Sequence, residues 1–551
     1  MSYLIPLTIL LPLVAGLTIF MVGLKGKLMA QLGVLAAFAS FLLSVVIVYE
    51  AFGKGEINDG SVATVVPAIE YAPAWLKFNL PVALGGKQIK WQLALGVDGI
   101  GSLMVLLTGI VGLAVSVFSL RQIVNRSHHY VGLLLITQSM LFGVFMSMDL
   151  VSFYLFFEAV LIPLILMITG WGHSKEASAA SKKFLLFTLA GSIPMVVGLI
   201  GLALQSTAVT MESTVELQKL SAVAFQQQMH AIAGGAETIA SYTSSQQWIV
   251  WVLLLGFGIK MAILPLHSWL PTTYAVAHPN TTALIASVVA KLGVFGIIRI
   301  VIPLTPLALA QEAQLLFAAL GAIAIVYGAL VALAQSDLRR VLAYSSISHM
   351  GFVTVGLMTL NTDGMSGAAI QMFNHGIITC AMFLILSLLE ERKVNLSFKM
   401  EDLGMASMYP RIAVLLVFFT LAGAGLPGLN GFVGELLAMV GMIRVSGTIT
   451  AIAVLGTVLG AWYGLKIVQK VLFGSDGSHA HHHHQHEVRT DCNATEWATL
   501  ALLAFVCLYI GVRPSGPMAV IQNDIKRLVT VTQPVSKAVH TDIDTVAQNN
   551  N

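Results

Sequence analysis

Residues 248–303 read WIVWVLLLGFGIKMAILPLHSWLPTTYAVAHPNTTALIASVVAKLGVFGIIRIVIP. Two apolar runs, 248–275 and 280–303, are each long enough to cross a bilayer, which takes about 20 residues. Each carries a lysine well inside it, Lys260 in the first and Lys291 in the second. A charge near the bilayer centre costs about 2.5–3.5 kcal/mol even on the gentlest scale. The stretch therefore has to be read both as membrane helix and as chemistry. Pro265 adds a break, because a proline inside a helix leaves the carbonyl four residues back, that of Met261, without its partner.

The rest of the chain has the same character. Of 551 residues, 57% are hydrophobic and 10% charged, and mean hydropathy is +0.85. A soluble globular domain carries about 25% charged residues. Apolar runs lie near 3–24, 29–51, 98–120, 129–148, 150–171, 183–205, 248–275, 280–303, 314–335, 339–359, 366–390, 411–443, 448–473 and 495–512. They predict an all-α integral membrane protein of about fourteen spans. The first 24 residues lack a basic leader and have too long an apolar run for a signal peptide, so they read as an uncleaved span. Segments 52–97, 206–247, 474–494 and 513–551 are not membrane-like, and the last reads as a mobile polar tail.

Lysine and arginine set the orientation. Alternate connections carry Lys25 and Lys27, Arg121 and Arg126, Lys175, Lys182 and Lys183, Arg339 and Arg340, then Arg392, Lys393, Lys399 and Arg411. These belong to the cytoplasmic side, which places both termini opposite. The net charge of +3 is small, and no basic stripe with interleaved aromatics marks a nucleic-acid surface. Cys380, Cys492 and Cys507 have no disulfide or metal-ligand spacing. No phosphate-binding loop, dinucleotide fingerprint or nucleophile–base constellation is visible. The His-rich run SHAHHHHQHE (478–487) reads as a solvated loop rather than a metal site. Gly456, Gly460 and Gly464 read as small residues for close helix packing.

Six ionisable residues sit inside expected spans: Glu158, Lys260, Lys291, His349, His375 and Glu435. One alone reads as a polar residue joining two helices. Acids and bases spread over several spans are what a proton relay needs. Glu158 and Lys260 read as a protonation switch, because burial discharges a lysine and a neighbouring carboxylate recharges it. Pro163 follows Glu158 as Pro265 follows Lys260, and frees the Ala159 carbonyl. Pro427, with Gly425, Gly428 and Gly431, breaks another span shortly before Glu435. Broken helices at membrane depth are tolerated where they line a hydrated cavity. The breaks fall in spans 7 and 12, the same place in two five-helix sets (spans 4–8 and 9–13), and matched breaks point to a transport site. Lys291 then corresponds to Lys466.

GVDGIGSLMVLLTG (96–109), the Glu158 span, GFGIKMAILPLHSWLPTTYAVAHP (256–279) and LPGLNGFVGELL (426–437) resemble the antiporter-like membrane subunits of respiratory complex I. The motif GVDGIGSLM and a glutamate at 435 favour the subunit M (mitochondrial chain 4) branch, which residues 1–475 and the last span resemble. Segment 206–247 and the His-rich loop depart from that pattern. The resemblance implies fourteen helices with inverted repeats. They divide the chain into 1–125 (three helices with loop 52–97), 126–305, 306–475, loop 476–494, span 495–512 and tail 513–551. It implies Glu158 and Lys260 as a coupled pair, Lys291 as the central relay lysine, His349 and His375 as relay histidines and Glu435 as the terminal acid. It implies no cofactor in this chain, with NADH, FMN, iron–sulfur clusters and a quinone on other subunits. Neighbouring antiporter-like subunits and the bacterial inner membrane are the implied partners. A subunit of a multisubunit cation/proton antiporter or membrane-bound hydrogenase is the other reading, and a non-transporting scaffold a third.

Overall fold

Helix is the form an open chain takes in hydrocarbon, where an unpaired backbone group costs several kcal/mol. The computed structural model describes residues 2–549 except 25, 54–64, 74–75, 85–86, 124, 174–175, 211–214, 393–403 and 474–490. Helices α1 (Leu4–Val22) and α2 (Gly26–Gly53) precede two antiparallel ribbons. In these, β1 (Ile69–Tyr71) pairs with β4 (Leu95–Val97), and β2 (Lys77–Leu84) with β3 (Lys87–Gln92). Then follow α3 (Gly99–Gln122), α4 (Ser127–Met146), α5 (Leu150–Ala159), α6 (Leu161–Trp171), α7 (Ala177–Thr210) and α8 (Leu217–Ala233). Next are α9 (Ala236–Lys260), α10 (Trp269–Val276) and α11 (Pro279–Ser287). A 3-10 turn at Val289–Lys291 leads to α12 (Leu292–Gly296), a π turn, α13 (Ile302–Leu304), α14 (Pro306–Ala308), a second π turn and α15 (Gln314–Ala334). The chain ends with α16 (Leu338–Leu357), α17 (Thr362–Glu391), α18 (Met405–Met408), α19 (Pro410–Gly423), α20 (Asn430–Ile443), α21 (Gly447–Leu472), α22 (Ala494–Val512) and α23 (Ser515–Asn549).

Among the described residues, eleven helices are long and apolar enough to cross a membrane. The fourteen expected spans add α9 with α10, α16, and α19 with α20. Asp98, Asp149, Asp337, Asn361 and Ser446 each accept a backbone N–H at the start of α3, α5, α16, α17 and α21. Three facing glycine pairs bring helices into backbone contact. A Cβ on Gly16 would lie 2.8 Å from the Gly132 carbonyl, one on Gly256 2.7 Å from that of Gly191, and one on Gly351 2.6 Å from that of Gly321. Of the glycines expected to pack closely in α21, Gly456 meets Ile325 of α15 and Gly464 meets Thr420. Around Gly460 there is space, the nearest atom being 3.9 Å away on Tyr463.

Residues 279–304 and α17 are buried along their length, whereas only about a third of α1, α2, α21 and α22 is buried. The ionisable interior therefore forms around one central pair of helices.

Two non-membrane segments differ from expectation. Much of 206–247 is helix: α8, and a start to α9 that reaches back to Ala236. Most of the tail, Ser515–Asn549, is not a loose polar end but α23. Its residues Ile521, Ile525, Leu528 and Val529 recur at helical spacing and are buried, a stripe that overall polarity hides. The His-rich run 478–487, together with Lys25, Lys175, Lys393 and Lys399, lies outside the described residues.

Candidate proton-transfer site

The break after α9 sets the first pair. α9 stops at Lys260, and the chain turns through Met261–Ser268 before α10. The Ile259 carbonyl at the helix end accepts the Ala262 N–H at 3.2 Å and also the Trp269 indole N–H at 2.9 Å. Lys260 Nζ is buried 3.8 Å from Glu158 Oε1 and 4.5 Å from the centre of the Phe157 ring. Ser192 of α7 donates its hydroxyl to Glu158. The Glu158 helix is interrupted as its proline suggests, with α5 ending at Ala159 and α6 starting at Leu161. The pair is asymmetric, since the Glu158 side chain is 20% exposed and that of Lys260 2%.

The central residues come next. Lys291 closes the 3-10 turn, its own N–H bonded to the Val288 carbonyl at 3.0 Å. This irregularity releases the Ala286 carbonyl, which accepts the Lys291 ammonium. Lys291 Nζ also lies 2.8 Å from His375 Nδ1 on α17. The His375 and His349 rings are 5.5 Å apart between centroids. His349 Nδ1 is 2.8 Å from Glu435 Oε1, and Gln371 donates to the same oxygen at 3.2 Å. Lys291, His375, His349 and Glu435 are all buried. The structure thus brings four of the six expected residues into one series and holds Glu158 with Lys260 as a separate pair.

Backbone shape places Glu435. Ala424–Leu429 separates α19 from α20, and Gly425 and Gly428 adopt φ of 71° and 91°. L-residues with a Cβ rarely enter this region. A Cβ on Gly431 would stand 2.1 Å from the Ala422 carbonyl, so glycine lets the two half-helices overlap. Asn374, next to His375, donates to the Asn430 carbonyl at 2.7 Å and ties α17 to the start of α20. A cavity beside this group is lined by Ser345, His349, His375, Glu435, Tyr463 and Ile467 among others.

Several participants were not singled out from sequence. The Tyr463 hydroxyl lies 3.0 Å from His349 Nε2 and 2.8 Å from Ser345 Oγ, extending the series toward the Arg339 end of α16. Lys466, matched to Lys291 by span counting, instead donates to the Leu333 carbonyl at 2.5 Å. Arg299 is a buried arginine in an apolar run, and its guanidinium pairs with Asp98 at 2.6 and 3.0 Å. The rule that flagged Lys291 flags it too. At that end of α16, Glu390 joins Arg339 and His173, the latter at 3.1 Å. Among the described residues no cluster of three or more His, Cys, Asp or Glu is placed to hold a metal ion, and the three cysteines are buried and free.

Comparison with known proteins places this geometry in a family. Residues 147–460 match the family described as NADH:quinone oxidoreductase/Mrp antiporter, transmembrane. NADH-quinone oxidoreductase subunit M of Rhodobacter capsulatus is 33% identical over 465 residues, covering 82% of this chain and 84% of that one. A chain of respiratory complex I from Thermus thermophilus superposes with a TM-score of 0.76 at 29% identity, covering 96% of this chain and 99% of that chain. A chain of the Mrp complex from a Dietzia species shares the fold, with a TM-score of 0.73 at 18% identity over 98% of this chain and 99% of that one. A chain with these relatives and these broken, charge-bearing helices belongs to the NADH:quinone oxidoreductase/Mrp antiporter membrane-subunit family, on the branch of its subunit M relatives.

Proposed function

We propose that this chain is a proton-translocating membrane-arm subunit of a respiratory NADH–quinone oxidoreductase in the bacterial inner membrane. The observation that carries this reading is the buried series Lys291, His375, His349, Glu435, with hydrogen-bond distances of 2.8 Å at both of its ends. Each member can gain or lose a proton, and the ring contact between the histidines spans the middle. Glu158, partly exposed beside buried Lys260, is where a charge on a neighbouring antiporter-like subunit acts. Moving Glu158 away from Lys260 discharges the lysine, and its return recharges it. Residues 126–305 and 306–475 serve as the two repeats, one holding the pair and Lys291, the other the histidines and Glu435.

NADH oxidation and quinone reduction, with FMN and iron–sulfur clusters, take place on other subunits. This chain contributes protonatable side chains and no redox centre. The antiporter reading is not adopted, because the Mrp likeness, at 18% identity, speaks for the fold alone, whereas the curated relatives at 30–33% carry the name of subunit M or chain 4 of an NADH–quinone or NADH–ubiquinone oxidoreductase.

The test is Lys260→Met in the assembled complex. NADH-driven acidification of inverted membrane vesicles should be lost, while NADH:ferricyanide activity, which bypasses the membrane arm, is retained. Undiminished acidification would remove the proposal.

A further inference from the structure

A charge cluster outside the relay lies where the non-cytoplasmic ends of α3, the 279–304 segment and α23 meet. Asp98 caps α3, its Oδ1 accepting the Gly101 N–H at 2.7 Å, and takes both terminal nitrogens of Arg299. Asp524 of α23 reaches the same helix start, its Oδ2 accepting the Ile100 N–H at 2.9 Å. Two carboxylates therefore share the first turn of one helix, and the guanidinium bonds to only one of them. Asp524 is buried, and α23 cannot shift to hydrate it without leaving its seat. A Cβ on Gly99 would be 1.9 Å from the Val520 carbonyl, so the two helices touch through backbone. Ile521, Ile525, Leu528 and Val529 are buried with it.

The charges facing Asp524 among the described residues are Asp98, Arg299 and Arg527. Arg527 donates to the Val66 carbonyl at 3.4 Å. With Asp98 and Arg299 paired, a charged Asp524 leaves a buried negative charge beside another carboxylate. A proton on Asp524 removes it and keeps the Ile100 bond, because the carbonyl oxygen of a neutral carboxyl still accepts. A small cavity bounded by Val65, Phe295 and Leu528 borders all three side chains.

We propose that Asp98, Arg299 and Asp524 form a second proton-binding site, on the non-cytoplasmic face, whose proton fastens α23 to the bundle. The site does not depend on the relay reading. Burial, and then the Asp98 charge, pushes the Asp524 carboxyl up to about 8. α23 also holds α8 through Gln228, which donates to the Val531 carbonyl at 2.7 Å, and the α16–α17 turn through Thr532, which donates to the Leu360 carbonyl at 3.2 Å. Loss of the proton thus loosens a brace that touches both halves of the chain.

The sign is fixed by linkage. An acid whose value is raised on docking strengthens docking below its undocked value. That gain is lost as pH rises to the docked value, at most about tenfold per pH unit for one proton. Hydrogen exchange of residues 515–532 in the purified complex, corrected for intrinsic rates, reads this directly. Wild-type protection should fall by up to about tenfold per unit between about pH 5 and 8 and level off above, while peptides of α4 stay constant. Asp524→Asn should give a flat profile. Constant wild-type protection, equal loosening of α4, or an unchanged slope in Asp524→Asn would each overturn the proposal. If the variant does not assemble, the wild-type profile alone decides.

Discussion

Lys291 Nζ and His375 Nδ1 stand 2.8 Å apart across two helices that are buried along their length. A hydrogen bond at that distance needs one hydrogen and one lone pair. An ammonium facing an imidazolium N–H would have two donors and no acceptor, so the contact excludes a proton charge on both groups at once. His375→Gln keeps a polar side chain but cannot take the proton. It should lower NADH-driven vesicle acidification by at least about tenfold, at the modest end of what positioned proton-transfer groups contribute. Acidification within twofold of wild type would show that the contact is only structural.

Tyr463 holds the far side of the His349 ring. With Nδ1 facing Glu435 and Nε2 facing Tyr463, both ring nitrogens are engaged and the ring orientation is fixed. Tyr463→Phe retains the packing and leaves a buried nitrogen unpaired, at a cost of about 1–3 kcal/mol. The expected result is a partial loss of acidification, about three- to tenfold, with normal assembly on native gels. Ser345→Ala, one bond further out, should lose less. Equal effects of the two, or none, would count against an ordered chain through the tyrosine.

How far these features were legible follows from what kind of information fixes each. Apolar run length fixed the spans, because hydrocarbon tolerates few alternatives to helix. The breaks at Pro265 and Pro427 were legible because proline and glycine act locally. The turn at Val289–Lys291 was not, since IASVVAK (285–291) offers no breaker, and the partners Lys291 takes there, the Ala286 carbonyl and His375 of α17, show only in three dimensions. Lys466 matched Lys291 by span counting, but a long flexible side chain can reach the helix end and bond a carbonyl there instead. Tyr463 gave no signal, because a tyrosine in a span is ordinarily packing. Asp98 stood within a motif used for recognition, yet its partners are distant in sequence, Arg299 and the Asp524 helix.

The α19–α20 break should respond in graded fashion to added methyl groups. Gly428→Ala forces a side chain into the left-handed region with space around it, costing about 1–2 kcal/mol. Gly431→Ala must push the Ala422 carbonyl away, and so displaces the half-helix that carries Glu435. Both variants should lower the thermal inactivation temperature of the complex. Acidification should suffer more in Gly431→Ala, because that change moves the acid itself. The reverse order would mean that turn strain, not the closeness of the half-helices, places Glu435.

Gly99→Ala tests the seat of α23 without touching a charge. The new methyl would collide with the Val520 carbonyl, an atom that cannot swing aside as a side chain does. Overpacking of this kind costs about 1–3 kcal/mol and is relieved by lifting α23 off α3. Limited proteolysis of the purified complex should then cut within 515–532 several times faster than in wild type. Gly447→Ala is the control. A Cβ there meets nothing within 4 Å, and alanine favours helix over glycine, so proteolysis should stay as in wild type. Should Gly99→Ala leave α23 as protected as before, the helix is held by its distal contacts at Gln228 and Leu360, and the start of α3 is not its anchor.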